Sequence, residues 1–179
     1  MSSFCHIFVI MVIVCWFSIV EAKCSARLGS PTKELGGIMK KIVFVCLGNI
    51  CRSPMAEFVM KDLTDQYEIE SRATSSWEHG NPIHRGTQKI FQQHQVPYDP
   101  AKTSLQIKEE DFYNFDLILG MDENNVADLK RMAPAGTEHK IHLFASESVP
   151  DPWYTGDFEE TYSRVLSGCK AWLDQLATS

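Results

Sequence analysis

Between Cys51 and Cys169 the chain has no cysteine at all, and this gap is the first constraint on what it can be. Its cysteines stand at 5, 15, 24, 46, 51 and 169, a layout unsuited to a small secreted fold held by disulfides and consistent with a reducing compartment. Positive charge is also scarce. With 17 Lys and Arg against 23 Asp and Glu the formal net charge is -6, which excludes a general nucleic-acid or membrane-surface binder and makes any phosphate recognition local. No internal repeat or low-complexity linker divides the 179 residues, so one domain is expected. His79, His84, His94, His139 and His142 form no ligand pattern, and Cys46 and Cys51 have no second cysteine pair nearby. No metal and no cofactor is expected, and each of these histidines reads as solvated or satisfied.

One long apolar run is present, from Phe4 to Val20. A signal peptide would want a positive charge before the run and small residues at a cleavage site after it; Met1-Ser2-Ser3 and Glu21-Ala22-Lys23-Cys24 supply neither cleanly. A membrane anchor needs about 20 apolar residues, a length this run barely approaches. A third reading starts the natural protein at Met39. Leu35-Gly36-Gly37-Ile38-Met39 back-translates to TTA GGA GGA ATC ATG, a ribosome-binding sequence ahead of a start codon, and Met39-Lys40-Lys41 leads directly into a buried-type strand. This third reading is the one expected, with residues 1–38 a non-catalytic extension and 39–179 the catalytic domain. It implies a cytoplasmic protein without stable membrane association; a genuine targeting segment would instead imply secretion or anchoring. The oligomeric state is not legible.

From Met39 onward short apolar runs alternate with amphipathic stretches, the pattern of a parallel sheet covered by helices. The expected fold is α/β: a single-domain three-layer sandwich, a four-stranded parallel sheet with helices on both faces and a phosphate-binding loop after the first strand. Ile42-Val43-Phe44-Val45 is too continuously apolar for a half-exposed strand and is placed centrally. Met55, Phe58, Val59 and Leu63 then recur at helical spacing, behind Pro54 in a first turn. Further strands are expected at 67–72, 116–121 and 140–144. A helix is expected over 84–94, with Ile83, Thr87, Ile90 and Phe91 inward, and another capped by Asp122 and carrying Val126 and Leu129. A last helix is capped by Asp157 and presents Phe158, Tyr162, Val165, Leu166, Cys169, Trp172, Leu173 and Leu176 on one face.

Between the first strand and first helix lies Cys46-Leu47-Gly48-Asn49-Ile50-Cys51-Arg52-Ser53. Backbone amides of such a loop and of the following helical turn converge on one point and form an anion site. Cys46 at its entrance, facing the helix N-terminus and the Arg52 guanidinium, suits a thiolate nucleophile. Arg52 can hold two oxygens of a phosphate in its planar fork, which Lys cannot do. Gly48 permits close approach of the backbone, and Asn49 tolerates the left-handed conformation. A nucleotide-binding reading fails for want of the second Gly followed by Lys and Ser or Thr. The bland alternative, a buried structural cysteine, sits poorly with Arg52, Ser53 and Pro54 beside it.

Val45-Cys46-Leu47-Gly48-Asn49-Ile50-Cys51-Arg52-Ser53-Pro54-Met55-Ala56-Glu57 resembles the active-site signature of the low-molecular-weight protein tyrosine phosphatases, and Asp151-Pro152-Trp153-Tyr154 resembles that family's distal acid motif. The similarity extends through Thr74-Ser75-Ser76-Trp77, Gly80-Asn81-Pro82 and Asp116-Leu117-Ile118-Leu119-Gly120-Met121-Asp122, covering residues 40–177. It implies attack by Cys46 on phosphorus to give phosphocysteine, with Arg52 and the amides from Leu47 to Arg52 on the equatorial oxygens and Ser53 hydrogen-bonded to the sulfur. Asp151 would protonate the leaving phenol and then activate water, giving a bell-shaped pH profile on the acidic side of neutral. Without the loop signature, Asp151-Pro152 would read as a surface turn.

The resemblance also implies that Trp77, Trp153 and Tyr154 wall the pocket and favour an aryl phosphate, so that a phosphotyrosine-containing protein is the expected partner and phosphoserine is too short to reach in. Asn49, Ser53 and Ser71 match a network that stiffens the loop. Lys102 stands where some relatives have His, and Leu105 replaces the Arg of an Arg-Gln pair, which leaves that side of the network undefined. Asp116 is assigned a structural task. Cys51 could form a protective disulfide with Cys46 or be a small buried hydrophobe; Cys169 reads as core. Two other functions share the loop chemistry. A thioredoxin-coupled arsenate reductase needs further cysteines, absent between Cys51 and Cys169, and a silent phosphotyrosine-binding module has no use for the intact set of Cys46, Arg52 and Asp151.

Overall fold

The computed structural model describes residues 39–178. The apolar run from Phe4 to Val20, the three readings of it, and the expected extension over 1–38 lie outside the described residues. Within them the order is β1 (Lys41–Cys46), α1 (Arg52–Leu63), β2 (Glu68–Ala73), α2 (Arg85–His94), α3 (Glu109–Asn114), β3 (Leu117–Gly120), α4 (Glu123–Met132), a 3-10 turn (Glu138–Lys140), β4 (Ile141–Leu143), α5 (Pro152–Thr155) and α6 (Phe158–Ala177). The four strands form one parallel sheet in the order β2-β1-β3-β4.

Successive side chains of β1 point to opposite faces, and both faces are covered, which is why its residues are continuously apolar. Ile42, Phe44 and Cys46 enter a core with Met55 and Val59 of α1, Phe91 of α2, and Val165 and Cys169 of α6. Val43 and Val45 enter a second core with Phe112 of α3, Leu129 of α4, and Ile118 and Ile141. The three-layer α/β architecture expected from the sequence is thus the one observed. Helix α6 sits against Phe144 at Gly168, where a Cβ would come within 2.5 Å of the Phe144 ring. Among the described residues no helix is long and apolar enough to cross a membrane.

Two elements depart from expectation. The six residues of α3 and the four of α5 are too short to show an apolar period, and their local chemistry sustains them instead. In α3, Asp111 accepts the Lys108 amide at 2.8 Å, and the Lys140 ammonium donates to the carbonyls of Phe112, Tyr113 and Phe115 at 3.0, 3.1 and 2.9 Å. These are terminal carbonyls that the helix itself cannot satisfy. Lys140→Met is therefore expected to destabilise the fold by about 1.5–3 kcal/mol, the range for hydrogen bonds from a charged donor. Urea unfolding should show a lower midpoint at unchanged slope.

The topology also places the site. Strand β2 lies on one side of β1 and β4 lies beyond β3 on the other, so the connections leaving β1 and leaving β3 run in opposite directions from the C-terminal ends of these two strands. In open parallel sheets this divergence is where ligands bind. The residue at that end of β1 is Cys46.

Candidate active site

Beyond Cys46 the loop carbonyls are taken up by the surrounding protein. The carbonyl of Cys46 accepts from the Thr74 amide (2.9 Å), that of Leu47 from the Ser75 amide and hydroxyl (3.1 and 2.9 Å), and that of Gly48 from the Ser104 hydroxyl (2.8 Å). Those of Ile50 and Cys51 accept from the amides of His84 (2.9 Å) and Met55 (3.2 Å). Among the described residues no peptide is cis. In a planar trans peptide the next N–H points opposite to the carbonyl, so carbonyls drawn outward turn the amides of Leu47, Gly48, Asn49, Cys51 and Arg52 inward. One of these is seen at its target: the Asn49 amide donates to Cys46 Sγ at 3.2 Å. The N-terminus of α1 has no side-chain cap, which leaves its first-turn amides for an anion.

Asn49 adopts the left-handed conformation with φ 52°, and its buried side chain braces the loop. Its Nδ2 donates to Ser53 Oγ and Ser71 Oγ, both at 2.8 Å, and its Oδ1 accepts the Leu105 amide at 3.2 Å. Ser53 Oγ lies 3.1 Å from Cys46 Sγ. The Ser71 hydroxyl donates to Glu57 Oε2 at 2.5 Å, and the buried Glu57 carboxylate is paired with Lys102 at 2.8 Å and Lys61 at 2.6 Å. This resolves the side of the network that the sequence left undefined. Lys102 enters it through Glu57, and Leu105 enters by its backbone amide. Glu57 was missed because an i,i+4 pair with Lys61 on a helix ordinarily signals an exposed face.

Arg52 is buried and its guanidinium is divided between two carboxylates. Nη1 donates to Asp122 Oδ2 at 2.6 Å and to the Val149 carbonyl at 3.3 Å, and Nη2 pairs with Asp151 Oδ2 at 2.7 Å. Burial opposes its charge, but Cys46, Asp151 and Asp122 outweigh that and hold its pKa above the ordinary arginine value. Asp122 also caps α4, accepting the Asn125 amide at 2.6 Å. The sequence supplied the cap but not the ion pair, which depends on bringing together residues 70 positions apart.

Asp151 caps α5 through the Trp153 amide at 3.0 Å, with Pro152 in the first turn. A cavity of about 250 Å³ is lined by Cys46, Arg52 and Asp151 at its polar end and by Trp77, Trp153 and Tyr154 at its mouth. Leu47, Gly48, Ile50 and Cys51 complete its floor, and Ser75 and Glu78 line it without having been singled out in the sequence. The three aromatic side chains are exposed, Trp77 at 80% and Tyr154 at 78%. Asn49, Ser53 and Ser71 stand behind the cavity as braces. Burial, followed by the charges of Cys46 and Asp151, pushes the Cys51 thiol up to about 12. Cys169 lies in the core, and burial raises its pKa as well. Asp116 accepts the Lys41 amide at 2.8 Å, a structural bond. Among the described residues no cluster of His, Cys, Asp and Glu is arranged to hold a metal ion.

A family model described as low molecular weight phosphotyrosine protein phosphatase matches residues 41–179. The low molecular weight protein-tyrosine-phosphatase PtpA of Staphylococcus aureus is 42% identical in an alignment 148 residues long that covers 77% of this chain and 94% of that protein. Among solved structures, SP-PTP, a low molecular weight protein tyrosine phosphatase from Streptococcus pyogenes, is 59% identical with a TM-score of 0.76, over 77% of this chain and 93% of its own. YfkJ from Bacillus subtilis is 35% identical at the same TM-score, over 80% of this chain and 98% of its own. On this match of family model, sequence and fold, the chain belongs to the low-molecular-weight protein tyrosine phosphatases.

Proposed function

We propose that this chain hydrolyses phosphotyrosine in proteins, and aryl phosphate monoesters generally, through a phosphocysteine on Cys46 with Asp151 as general acid and base. The observation that carries the reading is the convergence of Cys46, Arg52 and Asp151 on one small cavity with aromatic walls. Each step is assigned a group. The phosphoryl group enters the nest of inward amides, and Arg52 turns two N–H donors to its oxygens. Cys46 Sγ attacks phosphorus as the P–O bond to the phenol breaks, and Asp151 gives its proton to the departing oxygen. Asp151, now a carboxylate, takes a proton from water as that water attacks phosphorus, and the Cys46 thiolate leaves. Ser53 Oγ stabilises the sulfur at both ends of the cycle.

Specificity follows from the walls. The ring of a tyrosyl phosphate would lie among Trp77, Trp153 and Tyr154 with its phosphate at Cys46, and a phosphoseryl side chain has no ring to set against those walls. The cytoplasmic location read from the cysteine layout belongs to the same proposal. So does the protective role of Cys51. Once peroxide has converted Cys46 to a sulfenic acid, the Cys51 thiol can attack that sulfur, forming the disulfide and releasing water.

The reading is tested by rapidly denaturing the enzyme in detergent during turnover of an excess of aryl phosphate. Up to about one phosphate per active site should be trapped on the peptide containing Cys46, as an adduct with thiophosphate stability, surviving alkali and released by iodine. Hydrolysis without any trapped adduct, or an adduct on another residue, would sink the covalent mechanism.

A further inference from the structure

His84 does not line the catalytic cavity, yet it is joined to both halves of the active site. Its backbone amide donates to the Ile50 carbonyl of the phosphate loop at 2.9 Å. Its imidazole Nδ1 accepts the Gly86 amide at 3.1 Å, capping α2 and fixing the ring's orientation. One face of the ring is stacked on Phe158, with centroids 5.2 Å apart and the planes parallel, and Trp153 meets it edge-on at 5.7 Å. A Cβ at Gly86 would come within 2.4 Å of the Phe158 ring, so the absence of a side chain there is what lets the ring settle against α2.

Trp153 and Phe158 bracket the segment that follows Asp151. That segment is the single turn of α5 and its exit at Gly156, too short to hold its own shape. The stretch before Asp151 is tied to the body of the fold, by the Val149 amide on the Met121 carbonyl (2.9 Å) and the Thr161 hydroxyl on the Pro150 carbonyl (3.2 Å). Beyond Asp151 the comparable hold is the stack of Trp153, His84 and Phe158. Asp151 accepts the Trp153 amide, so fixing Trp153 fixes the carboxylate. The other hold on Asp151 is Arg52, for which substrate phosphate competes.

We propose that His84 is a positioning residue for the general acid: its ring, clasped between Phe158 and Trp153 and anchored by its backbone to Ile50, holds Asp151 in register with the phosphate loop while Arg52 is engaged by phosphate. This rests on the acid role proposed for Asp151.

A misplaced acid hurts most where the leaving group most needs a proton, which separates this role from a general structural one. His84→Asn keeps an acceptor for the Gly86 amide and removes the ring. It should lower kcat/KM about tenfold or more for phenyl phosphate, but only about threefold or less for p-nitrophenyl phosphate, whose phenolate departs unaided. In an Asp151→Asn background the same change should cost less than about twofold, because there is no acid left to misplace. Phe158→Leu, which removes the other side of the stack, should show the same dependence on leaving group and serves if His84→Asn folds poorly. Equal losses on the two substrates in both variants, or an undiminished cost in the Asp151→Asn background, would overturn the proposal. A wild-type chain that hydrolyses neither substrate would instead overturn the phosphatase reading itself.

Discussion

Cys46→Ser is expected to abolish turnover of aryl phosphates, by about 10⁴-fold or more, with the fold and phosphate binding preserved. The exchange replaces a buried sulfur by a smaller oxygen at the end of a central strand, and Ser53 Oγ and the Asn49 amide can still bond to it. A hydroxyl at this point is nearly un-ionised at neutral pH and a poor leaving group from phosphorus, so both chemical steps suffer. The anion nest is a backbone feature and remains. Binding of inorganic phosphate measured by calorimetry should therefore survive while product release from an aryl phosphate does not. Cys51 does not take over, because burial, the main cause of its raised pKa, remains in the variant and keeps its thiol protonated at neutral pH. Residual turnover in Cys46→Ser near the wild-type level would eliminate Cys46 as the nucleophile.

Asp151→Asn should lower kcat/KM for an unactivated aryl phosphate by about 10²–10⁴-fold, the range associated with a well-placed general acid. The loss should shrink as the leaving phenol becomes more acidic. Asn is nearly isosteric, and its side-chain oxygen can still accept the Trp153 amide, so the cap on α5 is retained. What disappears is the transferable proton and one of the two anionic partners of Arg52. The limb of the pH profile that reflects protonation of the acid should flatten with it. A variant that kept both the wild-type rate on phenyl phosphate and the wild-type profile would show that the proton comes from elsewhere.

Much of the fold was legible because its signals are local. Ile42 to Val45 is apolar at every position, which suits only a strand buried on both faces, and the long α6 repeats its apolar stripe over five turns. Helices α3 and α5 were not legible because one or two turns cannot display a period, and the Lys140 that completes α3 lies 26 residues beyond its end (140 − 114). The site divides along the same line. Cys46, Arg52 and Ser53 lie in one short loop, and Asn49 announces its positive φ by residue type. The Lys102–Glu57 pair, Asp122 on Arg52 and the backbone of Leu105 on Asn49 are created by the packing of distant segments. His84, read as a solvated or satisfied histidine, has its Nδ1 bonded to the Gly86 amide; what could not be read from its neighbours in sequence is that Phe158 and Trp153 pack against its ring.

The division of the Arg52 guanidinium between Asp122 and Asp151 makes the enzyme's own side chains intramolecular rivals of its substrate. The affinity measured for any oxyanion is then a difference, the strength of its grip on Arg52 less that of the carboxylates it displaces. A rival present in the same molecule cannot be diluted, and it reduces apparent affinity by a fixed factor, as a partly populated competent state does. The compensation is in timing. On the mechanism proposed above, the anion that wins Arg52 also releases the carboxylate that would next carry a proton, so occupancy of the phosphate nest and liberation of the acid would be a single event.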